Sequence, residues 1–229
     1  MSPKKACWRS RRNSKKMVKK SIVNIIAMNT ITIITHPEQI ANESSILQTL
    51  FENGLERLHI RKPDYTPAQI QKYLDGIAPE YRWKTVVHQH HFLAVDYDCS
   101  GVHFSVEKRM ATKPEIFAKH KADNFTISTS VHNVAEAASV SDAIDYSFIG
   151  PVFHSISKPG YSPKIDFSSL EFKQLLHTTA LVAVGGISPE TIDQALDYGF
   201  NSFALLGTIW NSHTPLQNFI ACQKSVHLH

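Results

Sequence analysis

Residues 29–229 predict an α/β protein, a single (β/α)8 TIM barrel, on three observations. Eight short runs rich in β-branched and aromatic residues recur along this stretch. Amphipathic segments of helical period lie between most of them. Polar or glycine residues close nearly every run, as expected where strand ends converge on one mouth. The competing architecture is an open doubly wound sheet, which usually shows fewer strands, and no G-x-G-x-x-G follows a strand in this chain.

Taken in order, the expected strands are Ile31–Thr35, Arg57–Arg61, Thr85–His88, Gly101–Phe104, Phe125–Thr129, Tyr146–Ile149, Leu181–Val184 and Ser202–Leu206. The first connection, Gln39–Phe51, brings Ile40, Ile46, Leu47 and Leu50 to one helical face. The next helix, Pro67–Leu74, opens with Thr66 as N-cap and Pro67 in the first turn, where a missing N–H is harmless. Val131–Val140 and Phe167–Leu176 show weaker helical patterns. Ser188-Pro189-Glu190 starts a helix in the same capped way and carries Ile192, Ala195 and Leu196 inward. After the last strand, Gly207 should open a short helix.

A chain of 229 residues with an apolar fraction of 42% can fill such a core. Its formal charge of +4 is unevenly spread. Residues 1–28 hold nine Lys or Arg and no acid, which leaves fifteen basic against twenty acidic residues beyond them. Residues 1–28 read as a disordered or dispensable extension. Their apolar run, Ile22–Met28, contains Asn24, is short for a signal core and precedes no small-residue cleavage site. Only Trp8 offers a stacking surface there, which counts against a nucleic-acid arm. Cys7, Cys99 and Cys222 are odd in number and form no CxxC pair, which fits a reducing compartment with neither disulfide framework nor zinc knuckle. No apolar segment nears the ~20 residues of a membrane span. The expected protein is cytoplasmic, with a small-molecule partner and no nucleic acid or membrane; homo-oligomerisation stays open.

The chemistry should lie at the strand ends. The second strand closes in His59-Ile60-Arg61-Lys62, the third in His88-Gln89-His90-His91, the fourth in Gly101-Val102-His103, and the fifth in Ser128-Thr129-Ser130-Val131-His132. The sixth breaks at Gly150-Pro151, and its loop strings together His154, Ser155, Ser157 and Lys158. The seventh and eighth run into Gly185-Gly186-Ile187 and Gly207-Thr208, and loops in these two places form the standard phosphate site of a barrel. Gly185, Gly186 and Gly207 let backbone N–H groups approach an anion closely. Arg61 and Lys158 suit a phosphate or carboxylate, whereas Lys62 reads as a solvated charge. Ser130, Ser155 and Ser157 would orient a ligand through their hydroxyls. His59, His88, His103, His132 and His154 read singly as hydrogen-bonded rim residues, and no metal site is expected from them.

Read together, Leu58-His59-Ile60-Arg61-Lys62, Gly101-Val102-His103, Ser130-Val131-His132, Asp145-Tyr146 with Gly150-Pro151-Val152-Phe153 and Ser157-Lys158, and Val182-Ala183-Val184-Gly185-Gly186-Ile187 resemble one family over residues 30–215. It is that of the thiamine phosphate synthases and the TenI-like thiazole tautomerases. The resemblance implies a barrel that holds a thiazole phosphate at its mouth. Synthases of the family join that phosphate to a pyrimidine pyrophosphate and release pyrophosphate; tautomerases isomerise a thiazole phosphate carboxylate. It also implies Gly186 and Gly207 as the phosphate cradle and Arg61, Ser130 and Lys158 near the pyrophosphate, with Ser155 and Ser157 where synthases usually carry threonines.

Four positions depart from the synthase pattern. The Asn-Asp after the third strand is His88-Gln89, the second metal-binding Asp is Lys108, and the lysine two residues beyond the strand-2 arginine is Pro63, with Lys62 as its substitute. A neutral glutamine and a lysine do not hold Mg²⁺. The resemblance with these departures therefore leads to an expectation of thiazole phosphate isomerisation with no cofactor, with His154 and Lys158 as catalytic residues. The tautomerases' own histidine position is Pro151, three residues before His154. One alternative is a thiamine phosphate synthase whose Mg²⁺ is held by substrate oxygens with Asp96 or Glu107. Another is a non-catalytic ligand-binding or regulatory member.

Overall fold

The computed structural model describes residues 30–154 and 165–228. Eight parallel strands close on themselves in sequence order: β1 (Thr30–Ile34), β2 (Arg57–Ile60), β3 (Thr85–Val87), β4 (Gly101–Phe104), β5 (Thr126–Val131), β6 (Tyr146–Ile149), β7 (Leu181–Val184) and β8 (Ser202–Leu205), with β8 returning to pair with β1. The helices between them are α1 (Glu43–Glu52), α2 (Pro67–Asp75), α3 (Leu93–Asp96), α4 (Val106–Ala111), α5 (Pro114–Ala122), α6 (Val134–Ala138), α7 (Leu170–Thr178), α8 (Ile192–Asp197), α9 (Gly207–Trp210) and α10 (Pro215–Leu228). The expected barrel is the fold.

Alternation along each strand makes two cores. One set of side chains, among them Ile33, Leu58, Ile60, Val102, Ile127 and Leu205, packs outward against helix residues such as Leu50, Ile70, Phe172 and Phe219. Each buried Leu or Ile of this layer contributes ~1.5–3 kcal/mol of transfer free energy. The other set points into the barrel, where Ile34, Tyr146, Phe148, Val182 and Ala204 form a smaller cluster. The barrel interior also carries Thr32, Arg57, His59, His103, Ser128 and Ser202, all buried. An interior this polar must satisfy its own hydrogen bonds.

Local chemistry places most helix starts. Thr66 and Gln69 form a reciprocal capping box ahead of α2, with Thr66 N donating to Gln69 Oε1 at 2.8 Å. Ser105, Asn133 and Ser169 cap α4, α6 and α7 through their side-chain oxygens. Four expected starts shift, those of α6 and α7 from Val131 to Val134 and from Phe167 to Leu170, behind their Asn133 and Ser169 caps. α1 begins at Glu43 rather than Gln39, because Asn42 sits left-handed at φ 60° and the chain turns there first. α8 begins at Ile192 rather than Ser188, because Ser188 O accepts from both Thr191 N and Ile192 N in a preceding turn. Helices α3, α4, α5 and α10 were not expected from periodicity; the first three are short or solvated around most of their surface.

Candidate active site

Register explains which strand-end residues meet. His59 pairs in level with Val86, and Val86 with Gly101, so His88 and His103 stand level with each other and one pleat repeat above His59. His103 pairs in turn with Ser128, and Ser128 with Tyr146. These side chains form one connected network. His59 Nδ1 lies 3.0 Å from His88 Nε2, and its Nε2 lies 2.7 Å from the Tyr146 hydroxyl. His103 holds Ser128 Oγ at 2.9 Å through Nδ1 and Ser130 Oγ at 3.2 Å through Nε2. The rings of His88 and His103 stack with centroids 4.0 Å apart, and the Phe148 ring packs against the group with its centroid 4.6 Å from that of His59.

The electrostatics of this network are set by burial. Desolvation, then the neighbouring imidazole of His103 and the charge of Arg57, hold His59 well below the ordinary histidine range. His88 is lowered in the same way, with Arg61 among the opposing charges, and burial pushes His103 down to about 3. His91, bonded to the His103 carbonyl at 3.0 Å, is lowered to about 4 by burial. All four imidazoles are therefore neutral at physiological pH. Arg57 lies 4.8 Å over the Tyr146 ring, and its Nη1 is buried without a hydrogen-bond partner among the described residues. The barrel interior thus has neutral nitrogen donors in the middle and fixed positive charge at either end.

On the opposite side, the β6, β7 and β8 ends are knitted together. Val152 N donates to Val184 O and Phe153 N to Gly185 O, both at 3.0 Å, so the chain after Pro151 runs on beside β7. Gly185 and Gly186 adopt φ of +94° and +69°, a region that a side chain disfavours. A Cβ on Gly186 would stand 2.6 Å from His154 O, and one on Gly150 would overlap Val184 O. The close backbone approach expected at Gly185-Gly186 is thus made first to the chain's own β6 loop. Thr191 Oγ1 donates to Gly186 O at 2.7 Å, Thr208 Oγ1 donates to Ile187 O, and Trp210 Nε1 donates to Ile34 O at 2.7 Å. Gly186 and Gly207 accordingly lie on two loops joined by the direct Thr208–Ile187 hydrogen bond at one end of the barrel.

The expected site residues sort as follows. Arg61 is half-buried at the end of β2, its backbone locked to Thr35 Oγ1 at 2.8 Å, and its charge bears on His88 and His103. Ser130 joins the histidine network. His154 is exposed at the edge of the described β6 loop. Ser155, Ser157 and Lys158 lie outside the described residues. Lys62 is corrected: it is no solvated charge and no mouth cation but is fully buried, donating to Glu43 Oε2 and Glu38 O at 2.7 Å each. Tyr73 completes that pair by donating to Glu43 Oε1 at 2.8 Å. The reading of the histidines as separate rim residues is also corrected, since His59, His88 and His103 converge inside the barrel. Periodicity missed Tyr146, Ser128 and Arg57 as members of this network. The signal was present in Arg57-Leu58-His59-Ile60-Arg61, whose alternation puts three nitrogen-bearing side chains on one face.

A family profile described as thiamine monophosphate synthase matches residues 31–209, from β1 to α9. The chain belongs to the thiamine monophosphate synthase family. A thiamine-phosphate synthase of Synechocystis sp. is 24% identical over 204 residues, covering 86% of this chain and 57% of that protein. Another, from Koribacter versatilis, is 30% identical over 125 residues, or 51% of this chain and 54% of the relative. This chain thus spans little more than half the length of these two curated relatives. The crystal structure of a thiamine phosphate pyrophosphorylase from Bacteroides thetaiotaomicron is 25% identical with a TM-score of 0.62, covering 86% of this chain and 93% of that one. A thiamine phosphate pyrophosphorylase from Pyrococcus furiosus shares the fold at a TM-score of 0.71 and 19% identity, over 87% and 96% of the two chains.

The Mg²⁺ that the family resemblance implies does not fit the residues present. Gln89 Nε2 is spent on Lys62 O, His88 is a neutral nitrogen donor, and Lys108 is an exposed cation. A hard dication wants several oxygen ligands, carboxylates above all. No helix among the described residues is long and apolar enough to cross a membrane.

Proposed function

We propose that this chain is the barrel of a thiamine-phosphate synthase, which joins a thiazole phosphate to a pyrimidine pyrophosphate and releases pyrophosphate. The observation that carries the reading is the family match over all eight strands, with relatives named as synthases. Gly185, Gly186 and Gly207 would hold the thiazole phosphate through backbone N–H groups on the joined β7 and β8 loops. Arg61 would offer its guanidinium to the pyrophosphate, which gains negative charge as it departs. Ser130 would orient the same group, with its hydroxyl held in place by His103 Nε2. Lys158, Ser155 and Ser157 are assigned to the pyrophosphate side by sequence position alone.

Thiazole phosphate isomerisation, with His154 as the acid–base group, is the second reading. The backbone of His154 abuts Gly186, which keeps that residue beside the phosphate loop. Incubating the full chain with both substrates and separating the products tests the two readings together. Thiamine phosphate and pyrophosphate in equal amounts support synthesis. Turnover of a thiazole phosphate carboxylate alone, lost in His154→Ala, supports isomerisation. If neither product forms and calorimetry detects no thiazole phosphate binding, both readings fail.

A further inference from the structure

Three imidazoles on adjacent strands meet at the upper end of the barrel interior. His59, His88 and His103 each bring one ring nitrogen within 4.8 Å of the other two, and they are the group of this kind among the described residues. They come from β2, from the residue after β3 and from β4, so their backbones are fixed by the barrel ladder rather than by a loop. We infer that these three histidines form a binding site for a divalent first-row transition-metal ion of the zinc class. Nothing in this inference requires the synthase reading; it concerns the ion alone.

The surroundings of the rings support ligation. A metal-binding imidazole keeps its second nitrogen in a hydrogen bond, which fixes the tautomer and aims the lone pair. His59 has that arrangement: Nδ1 faces His88, while Nε2 is held by the Tyr146 hydroxyl at 2.7 Å. His103 has it whichever nitrogen ligates, because Ser128 and Ser130 each hold one side of the ring. Two contacts must open: the short His59–His88 pair, and the serine bond on whichever His103 nitrogen ligates. His59 keeps its proton on Nε2 toward Tyr146, and His88 moves its proton from Nε2 to Nδ1, which frees both facing lone pairs with no net proton released.

The donor set selects the ion. Three neutral nitrogens suit zinc, cobalt or nickel and offer Mg²⁺ nothing it prefers. Three protein ligands also leave an open position, which in zinc sites takes water or a substrate oxygen. Arg57 and Arg61 place positive charge near the cluster and oppose a bare dication. The favoured fourth ligand is therefore an anion, and Arg61 stands at the mouth where a phosphate oxygen would enter.

The test uses the full chain, stripped of metal with EDTA and dialysed. Calorimetry with Zn²⁺ should show a stoichiometry of about one per chain for the tight site. Co²⁺ should give the intense visible absorption of a low-coordinate nitrogen site, and a large excess of Mg²⁺ should not displace it. His88→Gln, a change at the partly exposed ring, should weaken Zn²⁺ binding by at least ~100-fold, and Tyr146→Phe, which removes the hydroxyl that holds the non-ligating Nε2 of His59, by ~10-fold. If the variants fail to fold by circular dichroism, the parent decides alone: its melting temperature should rise with added Zn²⁺ and its Co²⁺ spectrum should show low coordination. The inference is overturned if the parent binds Zn²⁺ no more tightly than folded His88→Gln, or if Zn²⁺ leaves the melting temperature unchanged. The histidines would then be a hydrogen-bonded interior and nothing more.

Discussion

Acid should destabilise the metal-free protein well before its carboxylates titrate. The perturbation is a drop in pH from about 7 to about 5, in EDTA-treated protein. His103 and His91 carry folded values of about 3 and about 4 against an ordinary 6.5. Because the folded values are the lower ones, the unfolded chain takes up protons first. The stability these groups contribute is fully present above about 6.5 and is lost as the pH falls toward the folded values. At pH about 5 each group then costs about 2 kcal/mol, and His59 and His88, shifted in the same direction by burial, add to the loss. For a chain of this size about 4 kcal/mol corresponds to a fall in melting temperature of roughly 10 °C. Differential scanning calorimetry across that range measures it, and His91→Gln should flatten the curve by removing one of the titrating groups. A melting temperature that holds steady to pH about 5 and falls only below it would refute the argument, because carboxylates would then be the groups responsible.

Three further outcomes follow from single contacts. Lys62→Met should destabilise by ~3–5 kcal/mol in urea unfolding by leaving Glu43 buried and unpaired, and adding Glu43→Leu should recover much of that loss. Gly186→Ala should cost about 1–3 kcal/mol, since φ is +69° and the new Cβ meets His154 O, and should weaken inorganic phosphate binding in calorimetry. Arg61→Ala should weaken pyrophosphate binding by at least ~10-fold, with Arg61→Lys recovering only part because a lysine cannot reproduce the planar fork.

The barrel was legible in the sequence because a strand buried on both faces announces itself in four or five residues. Arg57-Leu58-His59-Ile60-Arg61 shows the limit of that signal. Its alternation says that Arg57, His59 and Arg61 share a face, and the barrel says that this face is interior. What it cannot say is which residues of β3, β4 and β6 stand opposite. That depends on stagger between strands, and a one-residue slip would turn His88 or His103 away from His59. The burial of Lys62 was illegible for a related reason. Its partner Glu43 lies nineteen residues earlier on α1, and no local pattern joins a lysine in a loop to a glutamate in the first turn of a helix. The β7 loop reads more easily, since Gly185-Gly186 marks its own geometry through left-handed φ of +94° and +69°.

The departures from the synthase pattern and the buried histidines are one feature seen twice. His88 stands where the resemblance places an asparagine, next to a Gln89 in place of the metal-binding aspartate, and in the structure that same His88 turns inward to His59 and His103. Removing carboxylates from a mouth that retains Arg61 raises the local positive potential, which protonated histidines would raise further. Burial prevents that by keeping the imidazoles neutral, and leaves their lone pairs available. Where the resemblance implies charged oxygen donors, this chain carries neutral nitrogen donors. On the proposed synthase reading, a pyrophosphate leaving this mouth would meet the charge of Arg61, or an ion that prefers imidazole to carboxylate.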